Sequence, residues 1–405
     1  MKIVFFLSAA FFFLLQGNVS AQAGMPAGIR ELLLKGQYGE ALAGFDEFIA
    51  KNPNDAKAYY SRGSIYSATG EFEKAIGDYT KAIALDPRFA EAYINRGSAL
   101  SEQKKFDAAL ADYNKAIALA PAMAEAYNNR GYLLSMRNKH EEAIKDFDKA
   151  IGLNPKYSRA YVNKALSLSV LEDRKGAIAV LTELIAQVPD AYEGYMNRAV
   201  QYVASGDKKK ALADYNKGIA LNPSDAQAYL SRSKLRDEAG DHAGAVEDCD
   251  MAAGLEPGNA EVYYLRARAE YDLPDYAAVI EDCTRAIQLK PSHSEAYILR
   301  GNAYDLRGDY ISALKDYGKA IELYPKETAG YEQRAVAKAR QKDIVGALSD
   351  LSRLLELDPK NVKALMMRGD LYLHENKKEF ACEDFKRAEE LGNGAAISKR
   401  LFNCK

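Results

Sequence analysis

The residues best equipped for chemistry are few and scattered. His140, His242, His293 and His374 show no His-x-x-x-His spacing, and Cys249, Cys283, Cys382 and Cys404 show no Cys-x-x-Cys. Those spacings are what bring metal-binding atoms together on one helix face or in one loop. No glycine-rich phosphate loop and no Gly-x-Ser-x-Gly turn is present. Carboxylates are abundant, but on repeated helices they read as a solvated face. Lys208, Lys209 and Lys210 sit together at a helix-to-helix turn and read the same way. No catalytic residue, metal site or cofactor is therefore assigned. Specific chemistry is left to positions that repeat.

The chain has 405 residues, with 55 Lys+Arg against 57 Asp+Glu. Such a balance lacks the clustered positive charge that phosphate contact requires, so a nucleic-acid partner is not expected. At 48 % apolar and 10 % aromatic the chain has ample material for a core. Residues 1–21 read as a secretory signal peptide: Lys2 supplies the charge, residues 3–15 are apolar but for Ser8, and Val19-Ser20-Ala21 offers a cleavage site. A retained anchor is the alternative. No later stretch is apolar enough to cross a bilayer. The expectation is an exported protein, periplasmic or extracellular, with a bacterial envelope preferred.

The elements that position everything else repeat. Pro53, Pro87, Pro121, Pro155, Pro189, Pro223, Pro257, Pro291, Pro325 and Pro359 follow a strict 34-residue step, with only Pro26 and Pro274 off the lattice. A tyrosine column runs from Tyr59 to Tyr331 on the same step and ends at Leu365; an alanine column runs from Ala75 to Ala381, interrupted by Val279. Within a unit, Tyr59, Tyr60, Ile65 and Tyr66 have helical spacing, and so do Phe72, Ala75, Ile76, Tyr79, Ala82 and Ile83. Gly70 between them, like Gly206, Gly240 and Gly308, suits the left-handed residue that ends a helix. Pro87 then prevents continuation. Each unit is thus a pair of short helices, too small to bury its own apolar face, so units must stack.

A charged pair travels with the repeat. Arg62, Arg96, Arg130, Lys164, Arg198, Arg232, Arg266, Arg300, Arg334 and Arg368 form one column; Asp78, Asp112, Asp146, Val180, Asp214, Asp248, Asp282, Asp316, Asp350 and Asp384 form another. The unit that loses its Arg, at Lys164, also loses its Asp, at Val180. Arg is therefore expected to pair with the Asp of its own unit, as in Arg62–Asp78 and Arg300–Asp316, a forked contact joining the two helices. An arginine ladder for an anionic ligand would not explain the matched aspartates.

The columns Tyr59, Gly63, Tyr66, Ala75, Tyr79, Ala82 and Pro87, with their 34-residue period, resemble the tetratricopeptide repeat family. The resemblance spans residues 22–393, eleven units with an atypical first one whose helices fall near 29–34 and 38–50. It implies an all-α, right-handed superhelical solenoid of antiparallel helix pairs that serves as an interaction scaffold. It leaves no room for a separate catalytic domain, so no enzyme is expected. It also implies that the first helix of each unit lines a concave groove.

On that face Asn95, Asn129, Asn163 and Asn197 form a ladder able to bracket an extended peptide backbone, each offering both a donor and an acceptor. Solvation is the alternative. Further on, Leu230, Tyr264, Leu265, Ile298, Leu299, Met366 and Met367 would form an apolar lining for a partner, or else pack against neighbouring helices. The partner expected is a protein or peptide segment, with a small-molecule or glycan ligand as the alternative.

Cys249 and Cys283 occupy the column of Tyr79 one repeat apart. Stacked helices lie 8–10 Å apart, too far for a disulfide, so buried free thiols are expected. Cys382 lies at a packing position of the last unit, and residues 394–405 read as a capping helix and tail with Ile397 and Leu401 as its apolar stripe. A Cys382–Cys404 disulfide would pin that cap; two unpaired thiols remain the alternative.

Overall fold

A computed structural model describes residues 27–404; the expected leader lies outside them. Among the described residues there are 23 helices and no strand. They divide into two compact units, the first ending at Asp207 and the second beginning at Lys208.

The first unit opens with α1 (Ala27–Leu34) and α2 (Tyr38–Lys51). Four full helix pairs follow, beginning with α3 (Ala56–Ala68) and α4 (Phe72–Leu85), then α5 (Ala90–Glu102) and α6 (Phe106–Leu119). The next are α7 (Ala124–Met136) with α8 (His140–Leu153) and α9 (Ser158–Val170) with α10 (Arg174–Gln187). It closes on α11 (Tyr192–Ala204).

The second unit begins at α12 (Lys208–Leu221). It continues through the pairs α13 (Ala226–Glu238) with α14 (His242–Leu255) and α15 (Ala260–Asp272) with α16 (Tyr276–Leu289). Then come α17 (Ser294–Leu306) with α18 (Tyr310–Leu323) and α19 (Thr328–Arg340) with α20 (Ile344–Leu357). The last pair is α21 (Val362–His374) with α22 (Lys378–Glu390), and α23 (Gly394–Asn403) covers the end.

The turn inside each pair has one geometry. Gly70 ends α3 in the left-handed region, with Gly70 N–H donating to Ser67 and Glu71 N–H reaching back to the Tyr66 carbonyl at 2.8 Å. The equivalent residue also has positive φ where it is not glycine, at Lys104, Asn138, Glu172, Lys342 and Asn376. Closure of the turn therefore overrides residue preference. Pro274, off the proline lattice, occupies this same position of the turn. A ring that prefers φ near −65° and carries no N–H fits it poorly. There the closing bond, from Asp275 N–H to the Glu270 carbonyl, lengthens to 3.3 Å.

Packing within a pair follows size. The alanine column of the second helices is buried throughout, with Ala75, Ala109, Ala143 and Ala313 among its members. Gly301 lets the Tyr317 ring lie so close that a β-carbon would meet its Cε1 at 2.6 Å. Where the first helix carries Ser233 or Ala267 instead, the second carries Cys249 or Cys283, so lost ring volume matches gained side chain. Each core is shared between pairs: Tyr60, Tyr79 and Ile83 pack with Ala92 and Ala99 of α5. The lattice prolines contribute more than helix termination, because Tyr161, Tyr195, Tyr263 and Tyr331 donate their phenolic O–H to the carbonyls of Pro155, Pro189, Pro257 and Pro325 at 3.1–3.3 Å.

Candidate partner-binding surface

The charged column is a set of forked pairs. Arg62 holds Asp78 through Nε and Nη2 at 2.8 and 2.7 Å, and Arg300 holds Asp316 at 2.7 and 2.8 Å. Arg96, Arg130, Arg232, Arg266, Arg334 and Arg368 grip the Asp of their own pair in the same way. The aspartates are buried. In Arg62, Arg96, Arg130, Arg266 and Arg368 the bond to that carboxylate outweighs burial and pushes the guanidinium above its ordinary value.

The third edge of the guanidinium was not legible in the columns quoted above. Its Nη1 reaches the second helix of the preceding pair, at Asp46 from Arg62, Asn114 from Arg130, Asn216 from Arg232, Asp250 from Arg266 and Thr284 from Arg300. Each of these five arginines thus joins three helices and has its donors committed inside the fold, which leaves it no role as an anion reader. Lys164, facing Val180, turns to that preceding helix and pairs with Asp148 at 2.6 Å.

Gly318 stands at this third position in the second unit and offers no side chain to Arg334, whose Nη1 would lie 3.8 Å from a β-carbon there. Gly318→Asn supplies the acceptor that Asn216 gives Arg232 and removes a mid-helix glycine. It is expected to stabilise the second unit by about 1 kcal/mol, read as a raised Tm.

The asparagine column lies on the first helices, half-buried. Asn95 donates to the Tyr60 hydroxyl at 2.9 Å, and Asn163 donates to Asn128 Oδ1 at 3.0 Å. Asn128, buried on α7, in turn donates to Asn129 Oδ1 at 3.1 Å. Asn197 donates to the Glu193 carbonyl of its own helix at 2.8 Å. These amides are therefore partly spent on one another, a coupling that a single column does not reveal, because the bonds run to the neighbouring column one residue earlier.

The apolar lining expected in the second unit needs correction. Leu230 and Leu265 are both 2 % exposed and belong to the core. Ile298, Leu299, Met366 and Met367 keep partial exposure, with Leu299 and both methionines packed against core clusters. Tyr264 is covered in part by the His293 ring, 4.7 Å between centroids. Next to it, His293 and Lys234 hold the Glu261 carboxyl down at about 2. Around Tyr264 the face is therefore polar and charged, beside the half-covered Ile298 and Leu299.

The C-terminal helix also differs in detail. Cys382 and Cys404 form a disulfide with Cα atoms 5.7 Å apart. Ile397 and Leu401, however, are 42 % and 56 % exposed, and Ala396 is the buried residue of α23. The small alanine lets α23 lie on α22, with the larger apolar residues turned outward. Polar ties, Arg400 to Glu389 and Lys399 to Asp370, add to the disulfide. Cys249 and Cys283 are free and buried. Burial pushes the Cys249 thiol up to about 11 and the Cys283 thiol higher still, which suppresses the thiolate a nucleophile needs.

Among the described residues, Asp237, His242 and Asp272 are the His and carboxylate groups close enough to share an ion. Asp237 is already engaged, by His242 Nδ1 at 2.8 Å and by Arg268 at 2.7 Å. The guanidinium supplies the positive charge there.

Stacked antiparallel helix pairs with one turn geometry, one alanine seam and one interhelical ion pair define an α-helical repeat protein. The family profiles agree: one described as tetratricopeptide repeat matches residues 56–89, 90–123, 124–157 and 294–327. A second of the same description matches 162–226, 198–260 and 329–396. The chain belongs to the tetratricopeptide repeat family.

No curated protein matches it. Among solved structures it is similar to yeast Tom70, at 17 % identity over 93 % of each chain with a TM-score of 0.44. It is also similar to the Cut9–Hcn1 hetero-tetramer of the APC/C, at 12 % identity over 93 % of this chain and 95 % of that one, TM-score 0.47. A third is YrrB, described as a TPR protein with an unusual peptide-binding site, at 23 % identity over 46 % of this chain and 97 % of that one, TM-score 0.36. These scores lie below 0.5, so family membership rests on the profile matches and the helix pairs themselves.

Proposed function

We propose that this protein is an exported scaffold that holds an extended protein segment against the first helices of its repeats. Tetratricopeptide repeats indicate a protein–protein interaction scaffold; the mode of binding and the compartment are our own reading. The observation that carries the mode is the amide network Asn128–Asn129–Asn163 on α7 and α9, with Asn95–Tyr60 beside it. An amide has two donors and an acceptor with two lone pairs, so the bonds inside the network leave capacity for the backbone of a bound strand. Export is supported by residues 1–21 and by the Cys382–Cys404 disulfide, which persists in oxidising compartments. A place in the bacterial envelope, in assembly of a surface complex, fits both.

Peptides selected from a random displayed library on the intact protein provide the probe. The double variant Asn129→Ala/Asn197→Ala spares Asn163 and Asn95, whose side chains tie into the neighbouring pair; it takes the acceptor from the buried Asn128 amide, so its Tm should fall by a few degrees while the protein stays folded. Affinity for the selected peptides is expected to fall at least tenfold, about 1.4 kcal/mol. Unchanged affinity removes the ladder as the contact.

A further inference from the structure

Glu270 stands where the repeat otherwise places a large apolar residue or a base. Its column holds Tyr66, Leu100, Leu134, Leu168, Tyr202 and Tyr304, and in two other units Arg236 and Lys338. Those two cations turn to the core aspartate of their own pair: Arg236 lies 3.2 Å from Asp248, and Lys338 lies 2.9 Å from Asp350. At the same offset Glu270 meets Asp282, so acid faces acid.

Among the described residues no base beside it is spare to neutralise it. Arg266, on the same helix, gives Nε and Nη2 to Asp282 at 2.6 and 2.7 Å and Nη1 to Asp250 at 2.6 Å. One guanidinium is thus shared among carboxylates, and Glu270 Oε2 is buried with no hydrogen-bond partner. The groups facing Glu270 are Arg266 from α15, Asp282 and Cys283 from α16, Asp275 at the N-cap of α16, and Asp250 from α14.

The backbone is weak at the same residue. The Glu270 carbonyl receives the 3.3 Å bond that closes the Pro274 turn, against 2.9 Å for Asp241 to Arg236 and for Asp343 to Lys338.

We propose that Glu270 is a pH-sensitive latch on the α15–α16 hairpin, which stays closed while its carboxyl is protonated and loosens when that carboxyl ionises beside Asp282. Burial first, then the charge of Asp282, pushes the Glu270 carboxyl up to about 7, against 4.5 for an ordinary glutamate. The closed hairpin holds the proton more tightly than the open chain. Its stability is therefore full below about 4.5, declines as pH rises and levels off above about 7. The full interval corresponds to at most roughly 300-fold in the opening equilibrium, reduced by the partial solvent access of the side chain.

Hydrogen exchange on the intact protein at pH 5 and pH 8, corrected for intrinsic rates, tests this. Amides of α15 and α16 are expected to lose tenfold or more of their protection at pH 8, while α19 and α20, with Lys338 on Asp350, hold theirs. In E270Q, which keeps the shape and cannot ionise, the α15–α16 amides should be equally protected at both pH values. Loss of protection in E270Q matching that of the parent overturns the latch, as does a parent hairpin indifferent to pH.

Discussion

Arg300→Ala is expected to destabilise the second unit by about 3–5 kcal/mol, because it strands the Asp316 carboxylate in the core. Asp316 is 4 % exposed, and both its oxygens are held by that one guanidinium. Asp316→Ala should cost less. The freed Arg300, whose side chain is 16 % exposed, can lift its head towards water and keeps its bond to Thr284. The double variant should be no worse than Arg300→Ala alone, since removing both partners abolishes the stranded charge. Denaturant titration of the four proteins measures this directly. Additive losses would mean that the two side chains act separately, whatever their distance.

Reducing the Cys382–Cys404 bond, or replacing both cysteines by serine, is expected to release α23 and cost about 3 kcal/mol by loop-closure entropy across a separation of 22 residues. The effect should be large for so short a helix, because α23 buries only Ala396 and turns Ile397, Leu401 and Phe402 outward. Without the bond it depends on ion pairs at the surface, which add little. Hydrogen exchange of residues 394–403 before and after reduction gives the readout, with intact mass confirming the thiol state. Amides equally protected in the reduced protein would show that the polar ties suffice. Release of the cap would also present the end of α22 to solvent, with Phe380 already 56 % exposed.

Much of this architecture was written in column form. Ala75, Tyr79 and Pro87 recur on one step because each helix pair solves the same local problem, and the joint loss of Arg and Asp at Lys164 and Val180 already implied the pairing within a unit. What escaped the columns were contacts crossing from one unit to the next. The third arginine bond reaches a position that varies freely among Asp, Asn, Thr and Ser, so no single residue type marks it. The amide network links position 128 to 163 and 60 to 95, an offset of one from the repeat.

Periodicity reports which residues share a helix face, because that depends only on local backbone geometry repeated every 34 positions. The fold class, the helix pairs and the family all follow from the sequence at that level. Exposure is another matter. Leu230 and Leu265 look like neighbours of Leu299 in the alignment of repeats, yet they are buried where it is only half-covered. Glu270 looks like one more surface acid until Asp282 and a fully engaged Arg266 are found around it. Burial and charge are set by what the adjacent helix brings within a few ångströms, and only the stacked structure decides that.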